Sequence, residues 1–559
     1  MRMRYLLAGC GGVLAALLGT SALAATSCED LTKVKSPNLT VSKAEMVESL
    51  ASVAANLAQT KIAKPFCRVV GYLTPTKDSH IGFEVWLPGA DSWNGKFQAT
   101  GNGGFQGAIN YRAVIPGLTR NYATLTSDLG HINKGGTEDA TWALGHGDKV
   151  VDYAYRGQHE SVVAAKTLIQ SYYGTGPKHS YFTGCSAGGI SGQTELLRYS
   201  QDFDGYVIGD TVADHLGQEM AAFWNTLEAS LKNPAEAIRP EQIPAIHKAV
   251  LAQCAGKDGG LASDPFLTDP RACKFEPKTL QCKPGQEPTT CLTVAQVEIL
   301  RKLYQGPVNP RTGQSILAGL TPGTELGWDR YFTGKKNPAQ ADRPWGGFMM
   351  YMAYQDPEYL SAQKYQQFNF DKDYEALRKI VIGGETLDSS WNTRNRNLDA
   401  FVKSGGKIIQ YHGWDDPNIP ALEAVKFFDS IVADQGKQHK LTPQQALDAT
   451  LKFHRLFMVQ GMGHCSGGDG PSSFGQGGGG AAYGNPEADT LSALERWVEE
   501  GVAPERFIGS RTDEKTKQVD LTRPICAYPK IPVYKGSGST SEAANFACVV
   551  PKPQRQAKK

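Results

Sequence analysis

The feature that most restricts how this chain can fold is the run Gly184-Cys185-Ser186-Ala187-Gly188 together with what flanks it. Ser180 to Thr183 reads as a strand and Gly189 to Tyr199 as a helix. A G-x-S-x-G turn between a strand and a helix is a nucleophile elbow, which holds the serine hydroxyl clear of a sheet. Its glycines permit the strained turn and let strand and helix approach closely. The five residues alone would also suit an ordinary glycine-rich turn. The strand before and the helix after them give the pattern its meaning.

A serine hydroxyl is a weak nucleophile and needs an adjacent base. Of 11 histidines, His464 stands apart. It follows the strand expected over Leu456 to Val459 and lies in Gly461-Met462-Gly463-His464-Cys465. Cys185 directly precedes Ser186, and Cys465 directly follows His464. If those two cysteines bridge, their Cα atoms lie within about 7 Å, which places Ser186 and His464 in one small neighbourhood. In this chain order an acid falls between serine and histidine. Tyr411-His412-Gly413-Trp414-Asp415-Asp416-Pro417, just after the strand expected over Lys407 to Tyr411, offers two. Backbone N–H groups for a developing oxyanion are expected from Ala187 and from the early loop containing Gly103 and Gly104.

The N-terminus reads as a cleaved secretory signal. Arg2 and Arg4 precede an apolar stretch from Tyr5 to Leu23, and Ala22-Leu23-Ala24 gives an A-x-A cleavage site. The stretch is nearly long enough for a membrane anchor, but the small-residue site favours cleavage. Leu7-Ala8-Gly9-Cys10 has the form of a lipoprotein signal. The apolar sequence ahead of it is shorter than the ~7–15 residues of a signal core. Export to the periplasm or beyond makes disulfides the expected state of cysteine. Eleven cysteines are present, ten without Cys10. Cys254 and Cys273, Cys282 and Cys291, and Cys526 and Cys548 are near neighbours, Cys28 and Cys67 lie near the mature N-terminus, and Cys185 and Cys465 remain.

At 559 residues the chain exceeds one compact core. Strands are expected over Cys67 to Leu73, Ile81 to Leu87, Lys96 to Thr100 and Tyr122 to Ser127, with a helix from Val150 to Tyr173. From Asp214 to Leu387 the character changes to Pro- and Gly-rich sequence with four cysteines and the run Trp345 to Tyr354. Strand signals return afterwards. The expected organisation is therefore a signal over 1–24, a catalytic α/β domain built from 25–213 and 388–559, and an inserted lid over 214–387. The last ~60 residues read as polar and loop-rich. Gly467 to Gly480 reads as a flexible loop. A net charge of +2 and the lack of a basic stripe give no reason to expect nucleic-acid binding, and no segment past the N-terminus is apolar enough for stable membrane insertion.

These motifs resemble the tannase and feruloyl esterase family over nearly the whole mature chain, from Cys28 to Cys548. Gly184-Cys185-Ser186-Ala187-Gly188-Gly189, His412-Gly413-Trp414-Asp415-Asp416 and Gly463-His464-Cys465 match its Cys-Ser, Asp and His-Cys segments. So do Trp142-Ala143-Leu144-Gly145-His146 and Cys291-Leu292-Thr293-Val294-Ala295-Gln296-Val297. The resemblance implies an α/β-hydrolase core with a lid, a disulfide joining the two motif segments, and Asp416, the last position of its HG-x-x-D segment, as the acid. It also implies a structural calcium in a lid loop that begins Cys-Asp. Here that loop runs from Cys254 to Phe266, with Ala255 in place of the first Asp and two inserted residues. Asp258 and Asp264, with the carbonyls of Gly260 and Phe266, are the remaining candidate ligands.

The expected activity is hydrolysis of phenolic acid esters, feruloyl or galloyl, through an acyl-enzyme. The resemblance also admits esters such as mono(2-hydroxyethyl) terephthalate, since the family includes a hydrolase of that compound. An acyltransferase or peptidase could use the same three residues, whereas a binding protein with a degenerate site would not need them intact. The aromatic and Met-rich run at Trp345 to Tyr354 suits an aromatic acyl group, although such runs are more often core.

Overall fold

The computed structural model describes residues 26–333, 344–393, 398–477 and 483–551. The expected signal, its cleavage site and Cys10 lie outside the described residues, as do residues 478–482 of the glycine-rich loop.

The β-branched and aromatic runs pair into one nine-stranded mixed sheet, in the order β1-β2-β3-β5-β4-β6-β7-β10-β11. Its strands are β1 (Leu39–Val47), β2 (Phe66–Leu73), β3 (Ile81–Pro88), β4 (Lys96–Thr100), β5 (Ala123–Ser127), β6 (His179–Cys185), β7 (Gly205–Gly209), β10 (Lys407–Gly413) and β11 (His454–Val459). The first three are antiparallel, and β5 is antiparallel to β3. From β5 through β4, β6, β7 and β10 to β11 every neighbouring pair is parallel. The parallel strands are largely buried, as fits strands covered on both faces. All five residues of β7 are buried. Helices Gly157–Tyr173, Ala187–Arg198, Leu422–His439 and Thr490–Glu500 flank the sheet. This is an α/β-hydrolase-like arrangement.

The expected strands and the helix after Ser186 are present within a residue or two. The long helix before the elbow is also present, but Asp152–Arg156 form a wider π turn between Gly147–Val151 and Gly157–Tyr173. Two strands were not expected: β1, whose edge carries many polar residues, and β7, only five residues long. The C-terminal region is also more regular than its polarity suggested. It forms the hairpins β12 (Arg506–Thr512) with β13 (Val519–Cys526) and β14 (Ile531–Tyr534) with β15 (Phe546–Val549). The Cys526–Cys548 disulfide joins them.

Between β7 and β10 no described residue joins the large sheet. This stretch is mostly helix and turn, with one short hairpin, β8 (Val381–Ile382) and β9 (Glu385–Thr386). Part of it has its own core, built from Ile243, Ile246, Leu300, Leu303, Trp328 and Phe332. Another part shares a core with the sheet side. Leu216, Met220, Phe223 and Trp391 pack with Phe105, Leu129, Val150 and Tyr153. The run Trp345 to Tyr354 belongs to this shared core. Trp345, Phe348, Met349 and Met352 are fully buried in it. Among the described residues no helix is long and apolar enough to cross a membrane.

The loop from Cys254 to Phe266 does not fit the calcium that the resemblance implies. Asp258 already accepts N–H bonds at both oxygens, from Gly260 to Oδ1 at 3.1 Å and from Thr268 to Oδ2. Asp264 is paired with Arg523, whose Nη2 lies 2.9 Å from Oδ1. The Arg523 guanidinium is buried, centred 3.9 Å over the Phe546 ring and 6.0 Å from the Phe266 ring. The positive charge beside this loop therefore comes from β13. Clusters of three close ligand-type side chains occur elsewhere among the described residues, and none includes Asp258 or Asp264. A divalent cation would have to compete with Arg523 for Asp264, with Ala255 supplying no carboxylate. The expected outcome is that a chelator leaves the melting temperature unchanged. Arg523→Met should lower stability by about 3–5 kcal/mol, because it leaves a largely buried carboxylate unpaired. Thermal melts and elemental analysis of the purified protein check both.

Candidate active site

Four adjacent parallel strands, β6, β7, β10 and β11, end at one edge of the sheet. In open parallel sheets the loops leaving the carboxyl ends are where ligands bind. Ser186 follows β6, Asp210 follows β7, Asp416 follows β10 by three residues and His464 follows β11 by five. Distant parts of the sequence thus meet because the strands are neighbours.

Ser186 sits at φ 60°, ψ −131°, a backbone conformation that costs a non-glycine residue of order 1–3 kcal/mol. The helix Ala187–Arg198 begins immediately after it. Gly188 and Gly189 make the close packing possible. A Cβ on Gly188 would stand 2.6 Å from the Asn102 carbonyl oxygen, and one on Gly189 would stand 2.3 Å from that of Gly209.

His464 Nε2 lies 2.7 Å from Ser186 Oγ, and His464 Nδ1 lies 2.8 Å from Asp416 Oδ2. The other oxygen of Asp416 accepts N–H bonds from Asn418 at 2.8 Å and Ile419 at 3.0 Å. Asp416 is fully buried. Burial alone would raise its pKa, but the imidazoles of His464 and His412 outweigh this and hold the carboxylate well below its ordinary range. For His464, burial opposes the charged form. The carboxylates of Asp416 and Asp210 reverse that and raise its pKa above 6.5. Asp415 faces Gly323 and lines a neighbouring cavity.

All five expected cysteine pairs are bonded: Cys28–Cys67, Cys185–Cys465, Cys254–Cys273, Cys282–Cys291 and Cys526–Cys548. The Cys185–Cys465 bridge has a Cα–Cα distance of 6.0 Å and joins positions 280 residues apart.

Sequence reading missed Asp210, a fully buried residue at the tip of β7. Its Oδ1 accepts the Gly413 N–H at 2.9 Å, and its Oδ2 accepts the Cys465 N–H. One carboxylate thereby holds the start of the acid loop and the backbone beside His464. His412, which the motif contained without an assigned task, sits 3.4 Å from Asp416 and bonds the Ile419 carbonyl at 3.0 Å. The available signal for Asp210 was a short apolar strand closed by Gly-Asp, a pattern too brief to weigh alone.

A cavity of about 460 Å³ opens above Ser186, the size of a small-molecule site. Gly103, Gly104 and Ala187 line it beside Ser186, with Phe105, Tyr153, Gln218, Glu219, Arg330 and Tyr331 around them. Its aromatic walls are thus not the Trp345 to Tyr354 run, which is core. Gln218 Nε2 donates to the Asn418 carbonyl at 2.7 Å, tying the helix His215–Thr226 to the loop that carries Asp416.

The bridge and Asp210 both constrain where His464 stands relative to Ser186. Replacing Cys185 and Cys465 together by Ala is expected to give a folded protein, destabilised on the order of 5 kcal/mol by chain entropy. Its kcat on any ester the parent cleaves should fall at least tenfold, because proton transfer requires hydrogen-bond reach. Denaturant unfolding and steady-state kinetics on the double variant test this. An unchanged kcat would remove the bridge from the argument about geometry.

Residues 67–549 match the family model described as tannase and feruloyl esterase. The chain is 36% identical to an uncharacterized esterase of Xanthomonas campestris, covering 95% of this chain and 92% of that one. It is 31% identical to a probable feruloyl esterase B-1 of Aspergillus flavus, covering 87% of each. The crystal structure of feruloyl esterase B from Aspergillus oryzae superposes with a TM-score of 0.80 at 27% identity, over 93% of this chain and 99% of that one. The chain therefore belongs to the tannase and feruloyl esterase family of serine carboxylic ester hydrolases.

Proposed function

We propose that the protein hydrolyses esters of phenolic acids, of the feruloyl or galloyl type, with Ser186 as nucleophile, His464 as general base and Asp416 as the acid that orients it. The observation that carries this reading is the continuous hydrogen-bonded path Ser186–His464–Asp416 on the wall of the cavity. The relatives named as feruloyl esterases supply the substrate class.

With the proton on Nδ1, His464 donates to Asp416, and Nε2 is left to accept the Ser186 hydroxyl proton. Ser186 Oγ attacks the ester carbonyl as that proton passes to Nε2. The oxyanion that forms meets backbone N–H groups of Ala187 and the Gly103-Gly104 loop. His464 then returns the proton to the departing alcohol, leaving an acyl-serine. Water, activated by the same imidazole, releases the acid and restores Ser186. No step in this sequence uses a metal.

The segment 214–387 acts in this reading as the lid, since the helix His215–Thr226 and the stretch at Arg330 and Tyr331 wall the cavity. A secreted or periplasmic location is part of the proposal. Five disulfides are hard to keep in a reducing cytosol. A second reading has one specific observation in its favour. Arg330 lines the cavity, and a guanidinium there would suit the free carboxylate of a terephthalate monoester. Transfer of the acyl group to an alcohol acceptor would use the same residues.

The deciding measurement is kcat/KM on methyl ferulate, methyl gallate and mono(2-hydroxyethyl) terephthalate. The phenolic esters are expected to exceed the terephthalate ester, and the reverse order would replace the first reading by the second. Ser186→Ala should lose several orders of magnitude on every ester cleaved. Asp416→Asn should cost about 10⁴ in kcat, and Asp415→Asn far less. The pH profile adds a signed test. The acid limb of kcat/KM in the parent should lie above 6.5, because His464 must lose its proton and Asp416 raises its pKa. In Asp416→Asn that carboxylate charge is gone and burial dominates, so the limb should move to lower pH. An unmoved limb would mean that His464 is not the titrating base.

A further inference from the structure

The helical stretch from Gly147 to Tyr173 is interrupted by the π turn Asp152–Arg156. Such turns fit one extra residue into a helix and are frequent at functional sites. This one is held by its own ends and by its neighbours. Arg156 Nε donates to the buried carboxylate of Asp152, and Arg156 Nη2 donates to Ser79 Oγ at 3.1 Å and to the Asp148 carbonyl at 3.0 Å. The second residue of the turn, Tyr153, lines the cavity that contains Ser186.

The Tyr153 hydroxyl donates to the Gly104 carbonyl at 2.9 Å. The N–H of that same peptide unit belongs to Phe105 and donates to the Thr137 carbonyl at 2.7 Å. The Gly104–Phe105 peptide is therefore pinned at both of its polar groups. One residue earlier the situation is the opposite. Among the described residues the N–H groups of Gly103 and Gly104 meet no acceptor, and both residues line the cavity beside Ser186 and Ala187. Two successive glycines rotate freely unless something holds them. Gly104 stands at φ 56°, and a Cβ there would meet the Thr137 carbonyl oxygen at 2.5 Å, so this loop has no side chain of its own at that point to fix its shape. Burial raises the Tyr153 pKa well above 10, so the hydroxyl keeps the proton it donates. Any buried tyrosine hydroxyl finds a partner. The partner here belongs to the loop whose unused N–H groups lie next to the nucleophile.

We propose that Tyr153 is a positioning residue for the reaction: by fixing the Gly104 carbonyl it holds the N–H groups of Gly103 and Gly104 where negative charge develops on the ester oxygen. Donors act on a transition state only when they are aimed before it forms. The inference rests on the acyl-enzyme reading above and adds a residue to it.

Tyr153→Phe keeps the ring and removes the tether. On the ester that the parent cleaves best, kcat is expected to fall at least tenfold. Binding of the same ester to Ser186→Ala, measured by calorimetry with and without Tyr153→Phe, should agree within threefold. Phenylboronic acid supplies the complementary probe. Ser186 Oγ adds to its boron, the serine proton passes to His464, and one boronate oxygen takes the place of the oxyanion. Its inhibition constant should rise at least tenfold in Tyr153→Phe. Tyr173 serves as the control, since its hydroxyl donates to the Pro88 carbonyl at 2.7 Å and it does not line the cavity. Tyr173→Phe should leave kcat and the boronate constant within twofold of the parent. A kcat within threefold of the parent in Tyr153→Phe would overturn the proposal. Equal losses of ester and boronate affinity would make Tyr153 a plain wall contact, and an equal loss of kcat in Tyr173→Phe would point to general loosening; either result overturns it while leaving ester hydrolysis through Ser186 standing. Undiminished activity in Ser186→Ala would instead sink the acyl-enzyme reading, and this inference with it.

Discussion

Everything at the site depends on how four loops are fixed at one edge of a parallel sheet. The strands β6, β7, β10 and β11 bring the loops close, but a sheet edge does not set side chains to within a few tenths of an ångström. Two cross-connections do. The Cys185–Cys465 bridge ties the residue before Ser186 to the residue after His464. The Asp210 carboxylate ties the Gly413 N–H to the Cys465 N–H. One link is covalent and the other is a buried pair of hydrogen bonds to one carboxyl group. Both converge on Cys465, so the backbone of the histidine loop is held from two sides.

That arrangement lets the site tolerate features that would otherwise destabilise it. Ser186 keeps a strained backbone because Gly188 and Gly189 allow its helix to press against the neighbouring loop and strand. The helix His215–Thr226, which lines the cavity, is locked from below. Leu216, Met220 and Phe223 are buried in the core that contains Phe348, Met349 and Trp391. The Met-rich aromatic run therefore bears on the cavity only indirectly, by packing against the helix that lines it. Strain collects at such sites when the surrounding packing over-determines it.

Much of this was legible in the residues, for identifiable reasons. Strands β2, β3, β4, β6 and β10 were visible because apolar and β-branched residues cluster between turn signals. The proximity of Ser186 and His464 was visible because each has a cysteine beside it, and a disulfide turns sequence adjacency into a distance. The choice of Asp416 over Asp415 was not available from spacing and came from the family motif. What stayed hidden depends on tertiary contact. Asp210 is one carboxylate after a five-residue strand, and nothing local says that its partners are Gly413 and Cys465. Arg, Ser, Asp and Thr interrupt the apolar residues of β12 and β13, and β14 and β15 are only four residues each, which masked these strands. The group that competes with calcium for Asp264, Arg523, lies 259 residues away, so the calcium expectation was made without it.

Two carboxyl groups near the same cavity illustrate how environment sets the charge of an acid. Asp416 and Glu219 are both buried, and burial drives each toward the neutral form. Asp416 overcomes this because two imidazoles and the N–H groups of Asn418 and Ile419 surround it, so it stays charged beside His464. Glu219 has a neutral histidine out of reach and a second carboxylate for company, so it keeps its proton. The same functional group thus becomes a fixed negative charge at one position and a neutral acid at the other. The proposed chemistry needs the first to stabilise an imidazolium. Reversing the first would spoil the proposed chemistry, because a neutral Asp416 could not hold His464 ready to take a proton.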